Sequence, residues 1–278
     1  MLPGGGGQSI RFLASLVVFW LCWGPIDTSG AVVNFIYDGG AIPDDDAQDT
    51  CWHNGQALNK TLNALQDGDT FVVPANLTFH LMGGVIARNL RNNVLRFDGR
   101  IIYSGSVRDW PRSGGGKVLD CLTLSNASGV LLTSSTDQIN GYASDSHHAV
   151  ILERKEDKQM VGAEKDVDTD NDLGGLMDGR GAAWWGVPGV GYLVHGENRP
   201  KLLVLSAACA NLTVEHLLLK DSPYWTFLAT GVAGLEVRGT KIHASRTSYD
   251  GHDVVDLTAF NTDGFDVSLR LCPALERN

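Results

Sequence analysis

Apolar residues cluster along this chain in three patterns. Phe12 to Trp23 is an apolar run in which only Ser15 is polar, preceded by Arg11 and followed by Thr28-Ser29-Gly30-Ala31. A positive start, a short apolar core and small residues predict a secretory leader over residues 1–30, and the run is too short to span a bilayer. Leu58, Leu62 and Leu65 recur at helical spacing, with Gln66-Asp67-Gly68-Asp69 as a stop, which predicts a short helix. The β-prone run Thr70 to Pro74 follows. Further on, Leu212, Val214 and Leu219 return 23 residues later as Leu235, Val237 and Ile242, and another 23 lands on Phe265. Short apolar alternations at such a period suggest a parallel β-helix, with the helix covering the first coil. The same alternation fits a β-sandwich, and the repeat by itself does not decide between them.

Composition narrows the class. Glycine contributes 33 of 278 residues without a Gly-x-y period, which excludes collagen and points to many tight turns. Acidic residues outnumber basic ones, 32 to 22, for a net charge of −10; that balance argues against a nucleic-acid partner but leaves room for a polyanionic carbohydrate in a local basic cleft. With Cys22 in the leader, Cys51, Cys121, Cys209 and Cys272 remain. Four cysteines allow three pairings, and with no Cys-x-x-Cys a zinc or redox motif is not expected. Sequons at Asn59, Asn76, Asn126 and Asn211 fit a secreted surface. Residues 153–172 are a charged surface insertion. Its alternating Asp166, Asp168, Asp170 and Asp172 place Asn171 and Met177 where a calcium loop needs glycine and glutamate, so neither metal nor cofactor is expected. His147, His148, His243 and His252 read as surface or core residues.

Several segments then fall into one order. Asn261-Thr262-Asp263-Gly264-Phe265-Asp266-Val267 resembles the signature of the polygalacturonases, glycoside hydrolase family 28. Gly175 to Gly181 with Trp184-Trp185, Arg199-Pro200 through Cys209 to Asn211-Leu212, and Ser222-Pro223-Tyr224-Trp225 are similar to the family's other segments. Gly68-Asp69-Thr70 to Ala75 resembles the entry coil of the wider pectin-acting group. The resemblance covers nearly all of residues 31–278 and implies an all-β, right-handed parallel β-helix that hydrolyses α-1,4-galacturonan with inversion. It implies that Asp263 is catalytic and helps activate water, with Asn261 lining the cleft and Asp266 as a supporting substrate-side carboxylate. Side chains two apart share a strand face, so Asn261 and Asp263 are expected to point together; Asp266, at odd spacing, is not, if the strand continues. Asn-Thr-Asp-Gly is by itself also a good turn sequence, and Trp184, Trp185 and Trp225 are taken as packing residues.

The family pattern continues with Asp-Asp, Gly-His-Gly and Arg-x-Lys, which supply the general acid and a substrate clamp. This sequence has none of them after Asp266. The β-helix is therefore expected to be incomplete at its C-terminal end, and the 278-residue chain inactive and poorly stable, because positioned proton transfer typically contributes about 10²–10⁴-fold. A non-catalytic β-helix that binds wall polysaccharide is the alternative. A lyase fits less well, since elimination leans on calcium. The expected protein is a secreted monomer acting on a uronic-acid polymer, with no membrane attachment after leader cleavage.

Overall fold

The computed structural model describes residues 30–135, 175–185, 198–206, 208–244 and 262–269; the leader, the charged insertion, Asn261 and Cys272 lie outside these. Alternation is confined to runs of three to six residues, so the strands are short. They are β1 (Val32–Asn34), β2 (Thr70–Val73), β3 (Thr78–Leu81), β4 (Val85–Arg88), β5 (Val94–Phe97), β6 (Arg100–Tyr103), β7 (Leu122–Ser125) and β8 (Leu131–Thr133). There follow β9 (Leu176–Asp178), β10 (Leu203–Ser206), β11 (Ala210–Glu215), β12 (Leu218–Lys220), the longer β13 (Phe227–Arg238), β14 (Lys241–His243) and β15 (Phe265–Leu269). A single α-helix among the described residues, α1 (Gln48–Ala64), precedes β2, and a short 3-10 helix, Gly181–Ala183, follows β9.

Every strand pair is parallel, and the chain visits three sheets in rotation. The first sheet holds β1, β2, β5, β8, β11 and the second half of β13. The second holds β3, β6, β9, β12 and β14. The third holds β4, β7, β10, the first half of β13 and β15. This is a parallel β-solenoid, not a sandwich. Register stacks like on like inside it. Phe71, Leu95, Leu132, Val214 and Val237 form one column, and Phe79, Ile101, Met177, Leu219 and Ile242 a second. Val85, Leu122, Leu203, Phe227 and Phe265 form the third. Parallel in-register pairing sets coils about 4.8 Å apart, so each side chain packs on its counterpart one coil away.

The 23-residue repeat is real for one coil only. Leu212 and Val214 lie beside Leu235 and Val237, and Leu219 beside Ile242. Phe265, however, stands in the third sheet on Phe227, so the further step of 23 from Ile242 crosses between sheets. One corner also recurs: Gly68, Asn92, Gly129, Asn211 and Gly234, each two residues before its first-sheet register position, all have positive φ between 53° and 83°. That conformation favours Gly and Asn. A Cβ on Gly129 would come within 2.5 Å of the Asn92 side-chain oxygen, so the column cannot take a side chain at every coil.

The helix is longer than its leucine spacing suggests. Leu58 and Leu62 are fully buried, and α1 packs on β3 and β4, the outer strands of the second and third sheets. Asparagine side chains along it meet strand backbone left without a neighbour. Ile86 N–H donates to Asn59 Oδ1 at 2.9 Å, Asn63 Nδ2 donates to the Ile86 carbonyl at 2.8 Å, and Arg88 N–H donates to Asn63 Oδ1 at 2.9 Å. Asn54 Nδ2 likewise reaches the His80 carbonyl at 3.0 Å. Unpaired strand edges invite association; here amides from a helix complete the ladder. Cys51, Cys121 and Cys209 are buried free thiols. Among the described residues no helix is long and apolar enough to cross a membrane.

Candidate active site

The corner where the chain passes from the second sheet to the third brings the separate motifs together. Four backbone hydrogen bonds climb it: Thr226 N–H to Asp263 O at 2.9 Å, Leu202 N–H to Trp225 O at 3.2 Å, Cys121 N–H to Lys201 O at 2.8 Å, and Gly84 N–H to Asp120 O at 2.8 Å. Asp263, Trp225, Lys201 and Asp120 are therefore stacked one per coil. Sequence separation hides this, because the chain between Asp120 and Lys201 holds 80 residues.

Asp263 heads the column and is exposed. The Thr226 hydroxyl donates to Thr262 O at 3.3 Å, and Phe227 N–H to Gly264 O at 3.1 Å, so the Asn-Thr-Asp-Gly segment is anchored by the coil beneath it. β15 begins only at Phe265. Strand alternation therefore does not reach back to Asp263, and the parity argument that would separate it from Asp266 does not apply. Within β15, Phe265 stacks on Phe227 with ring centres 5.3 Å apart and Val267 packs against the core. Asp266, between them, turns outward, half-buried, beside Leu228.

Below Asp263 lies an aromatic ledge. Tyr224 and Trp225 stack at 4.9 Å with 14° between planes. Lys201 Nζ stands 5.4 Å from the Trp225 ring centre and 5.6 Å from that of Tyr224, and it is paired to Asp120 at 3.6 Å. Buried Arg199 supports the ledge: its guanidinium carbon lies 4.6 Å from the Tyr224 ring centre, and Nη1 donates to Pro223 O at 2.5 Å. The indole N–H of Trp185 donates to Ser222 O at 3.0 Å, and the Ser222 hydroxyl to Trp225 O at 3.0 Å. Trp184 and Trp185 are buried, as packing residues should be. Trp225 is not: it is half-exposed. An apolar face beside a cation and an exposed carboxylate can hold a charged sugar, the ring by stacking and the carboxylate by the ammonium.

Asp178, in the Gly175–Gly181 segment, ends β9 beside Lys220, where the chain enters this corner. Burial pushes its pKa up to about 6, with Asp221 adding to the rise; the Arg180 backbone N–H and the Lys220 and Arg180 charges oppose it. The folded state thus holds a proton that the unfolded chain, near 3.8, releases. Stability from this group is fully present below about pH 4, falls as pH rises toward 6, and is level above. Asp178→Asn keeps an acceptor for Arg180 N–H and removes that loss. Its melting temperature is expected to gain on the wild type across this window, by the equivalent of about 2–3 kcal/mol at pH 7. A constant offset between the two proteins from pH 4 to 7 would refute it. Among the described residues no group of three His, Cys, Asp or Glu side chains is placed to hold a metal.

The sequence profile of glycosyl hydrolases family 28 matches residues 113–270. A polygalacturonase of Penicillium expansum is 33% identical over 96 residues, 34% of this chain and 23% of that protein. A probable endopolygalacturonase A of Neosartorya fischeri is 28% identical over 104 residues, 37% of this chain and 25% of the relative. The chain thus spans about a quarter of the length of these curated relatives. Among solved structures, the endo-xylogalacturonan hydrolase from Aspergillus tubingensis superposes with a TM-score of 0.52 at 18% identity, covering 84% of this chain and 47% of that one. At that identity the likeness is one of fold.

Proposed function

The chain belongs to glycosyl hydrolases family 28, and on that premise we propose that it is a polygalacturonase-type enzyme that cleaves α-1,4-galacturonan by inverting hydrolysis. The observation that carries the reading is the column at the corner: exposed Asp263 stands one coil above half-exposed Trp225, with Lys201 beneath. Inversion uses one carboxylate to activate water and a second carboxyl group, about 6.5–9.5 Å away, to protonate the leaving oxygen. We assign Asp263 the first role, and Asn261 and Asp266 contact with the substrate. The chain is expected to bind galacturonan and to cleave it. Residues 1–30 direct secretion, and the protein acts as an extracellular glycosylated monomer on a pectic polymer.

Affinity electrophoresis tests the binding half. Polygalacturonate in the gel is expected to retard the 278-residue chain, and neutral galactan to leave it unretarded. Trp225→Ala is expected to weaken retardation about tenfold, close to the value of one stacked aromatic contact. Equal retardation by both polymers, or none by either, would remove the uronate reading. A reducing-end assay on the same samples tests hydrolysis. Accumulation of an unsaturated product would show elimination instead.

A further inference from the structure

We infer that the loop of residues 104–119 is a second contact for the acidic polymer, a cationic arm that takes uronate groups several sugars away from Asp263; the inference rests on the reading of the substrate as galacturonan. At the corner between the second and third sheets, the coil of β3 and β4 needs only residues 82–84. The next coil, from β6 to β7, uses residues 104–121 for the same corner. The excess is an ordered structure with its own internal bonds.

Trp110 roots the loop. Its ring is buried, its indole N–H donates to Leu119 O at 2.7 Å, and it meets Trp184 edge-on with ring centres 5.3 Å apart. It lies against Gly83, where a Cβ would come within 2.2 Å of the ring. Beyond Trp110 the chain folds back on itself. Arg112 and Val118 form an antiparallel bridge, Leu119 N–H donates to Pro111 O at 3.0 Å, and Ser113 N–H donates to Lys117 O at 2.8 Å. Asn198 clamps the returning arm from the next coil: Val118 N–H donates to Asn198 Oδ1 at 2.9 Å, and Asn198 Nδ2 donates to Gly116 O at 3.3 Å. An arm held in this way loses little freedom when a ligand lands on it, which favours binding.

Charge sets the loop apart in a chain of net −10. Arg108, Arg112 and Lys117 are exposed on it against one carboxylate, Asp109. Asp109 accepts from the Ser106 hydroxyl at 2.8 Å and lies 4.0 Å from Arg108 Nε. Arg112 is aimed by neutral carbonyls, Nη1 donating to Gly116 O at 3.3 Å and Nη2 to Val107 O at 3.2 Å, so its guanidinium is positioned without losing its charge. Among the described residues neither Arg112 nor Lys117 is ion-paired. At the foot of the loop, Asp120 takes the place beneath Lys201 in the column headed by Asp263. Three coil steps separate Asp120 from Asp263, about 14 Å at the usual strand spacing. A polymer with a carboxylate on every sugar, lying along that column, runs from the Trp225 ledge past Lys201 onto this loop. Guanidinium and ammonium groups are the fitting partners for its carboxylates.

The test is titration calorimetry of the full chain in the Asp263→Asn background, which leaves the sugar chain intact, with octagalacturonate as the probe and trigalacturonate as the reference that stops short of the loop. Arg112→Gln with Lys117→Gln is expected to weaken octamer binding about tenfold relative to the trimer at low salt, and by less as salt rises. Arg112→Lys with Lys117→Arg is expected to keep octamer binding, and a fully methyl-esterified octamer to bind both double variants alike. Octamer binding that the glutamine pair leaves unchanged, or weakens no more than trimer binding, overturns the loop contact while the galacturonan reading stands. An equal loss in the charge-keeping pair overturns it as well, because the effect then belongs to the shape of the loop. Binding of neither probe to the parent chain defeats the galacturonan reading, and the loop contact with it.

Discussion

Asp263→Asn is expected to lower kcat on polygalacturonate by about 10²–10⁴-fold, the usual contribution of a positioned general base. Polymer binding and melting temperature are expected to stay near wild type. Asp263 is exposed, and its segment is tied to the coil below through main-chain atoms, Thr226 N–H to Asp263 O and the Thr226 hydroxyl to Thr262 O. The carboxylate can thus be changed without loosening its support. Single-turnover and binding measurements on the two proteins make the comparison. A fall in affinity matching the fall in rate would assign Asp263 to holding substrate rather than to activating water. Asp266→Asn is the informative control: half-buried beside Leu228, it is expected to raise KM more than it lowers kcat.

The largest stability effect is expected from Phe227→Ala. Phe227 is fully buried in the column that runs from Leu203 through Phe227 to Phe265. Coils above and below are held at fixed spacing by their hydrogen bonds, so the site cannot collapse onto a smaller residue. The cost is expected near the full range for burying and then deleting a phenyl ring, about 3–5 kcal/mol. Against a total stability of about 5–15 kcal/mol, much of the protein would unfold at 37 °C. Urea titration followed by circular dichroism measures it, with Phe227→Leu, a smaller change, expected to lose about 1–2 kcal/mol. A loss below 1 kcal/mol for the alanine variant would show that the column is not packed as described.

How much of this was legible in the sequence follows from coil length. β11 and the second half of β13 are separated by one short coil, so Leu212, Val214 and Leu219 reveal their neighbours by simple offset. Between Leu124 and Leu205, in-register partners in the third sheet, a long intervening segment breaks the period, and no offset search finds the pair. The site suffers from the same cause. Asp263 stands out in the sequence through its motif. Lys201 and Asp120, its neighbours along the corner, belong to no local pattern, and Trp225 read as a core residue because an aromatic after Ser-Pro gives no sign of which way it faces. Strand parity does not relate Asp266 to Asp263, because β15 starts two residues after Asp263, which nothing in a turn-prone Asn-Thr-Asp-Gly announces.

The asparagines of α1 give the solenoid a polarity that bears on engineering. Asn59 and Asn63 meet the β4 backbone at spacings set by the helical pitch, and no strand can occupy the same donors and acceptors at once. α1 is therefore a terminator for the second and third sheets, portable in principle but only together with β3 and β4. A designer grafting coils onto this scaffold would have to add them at the far face. Anyone wishing to join two solenoids edge to edge would begin by taking those two amides away.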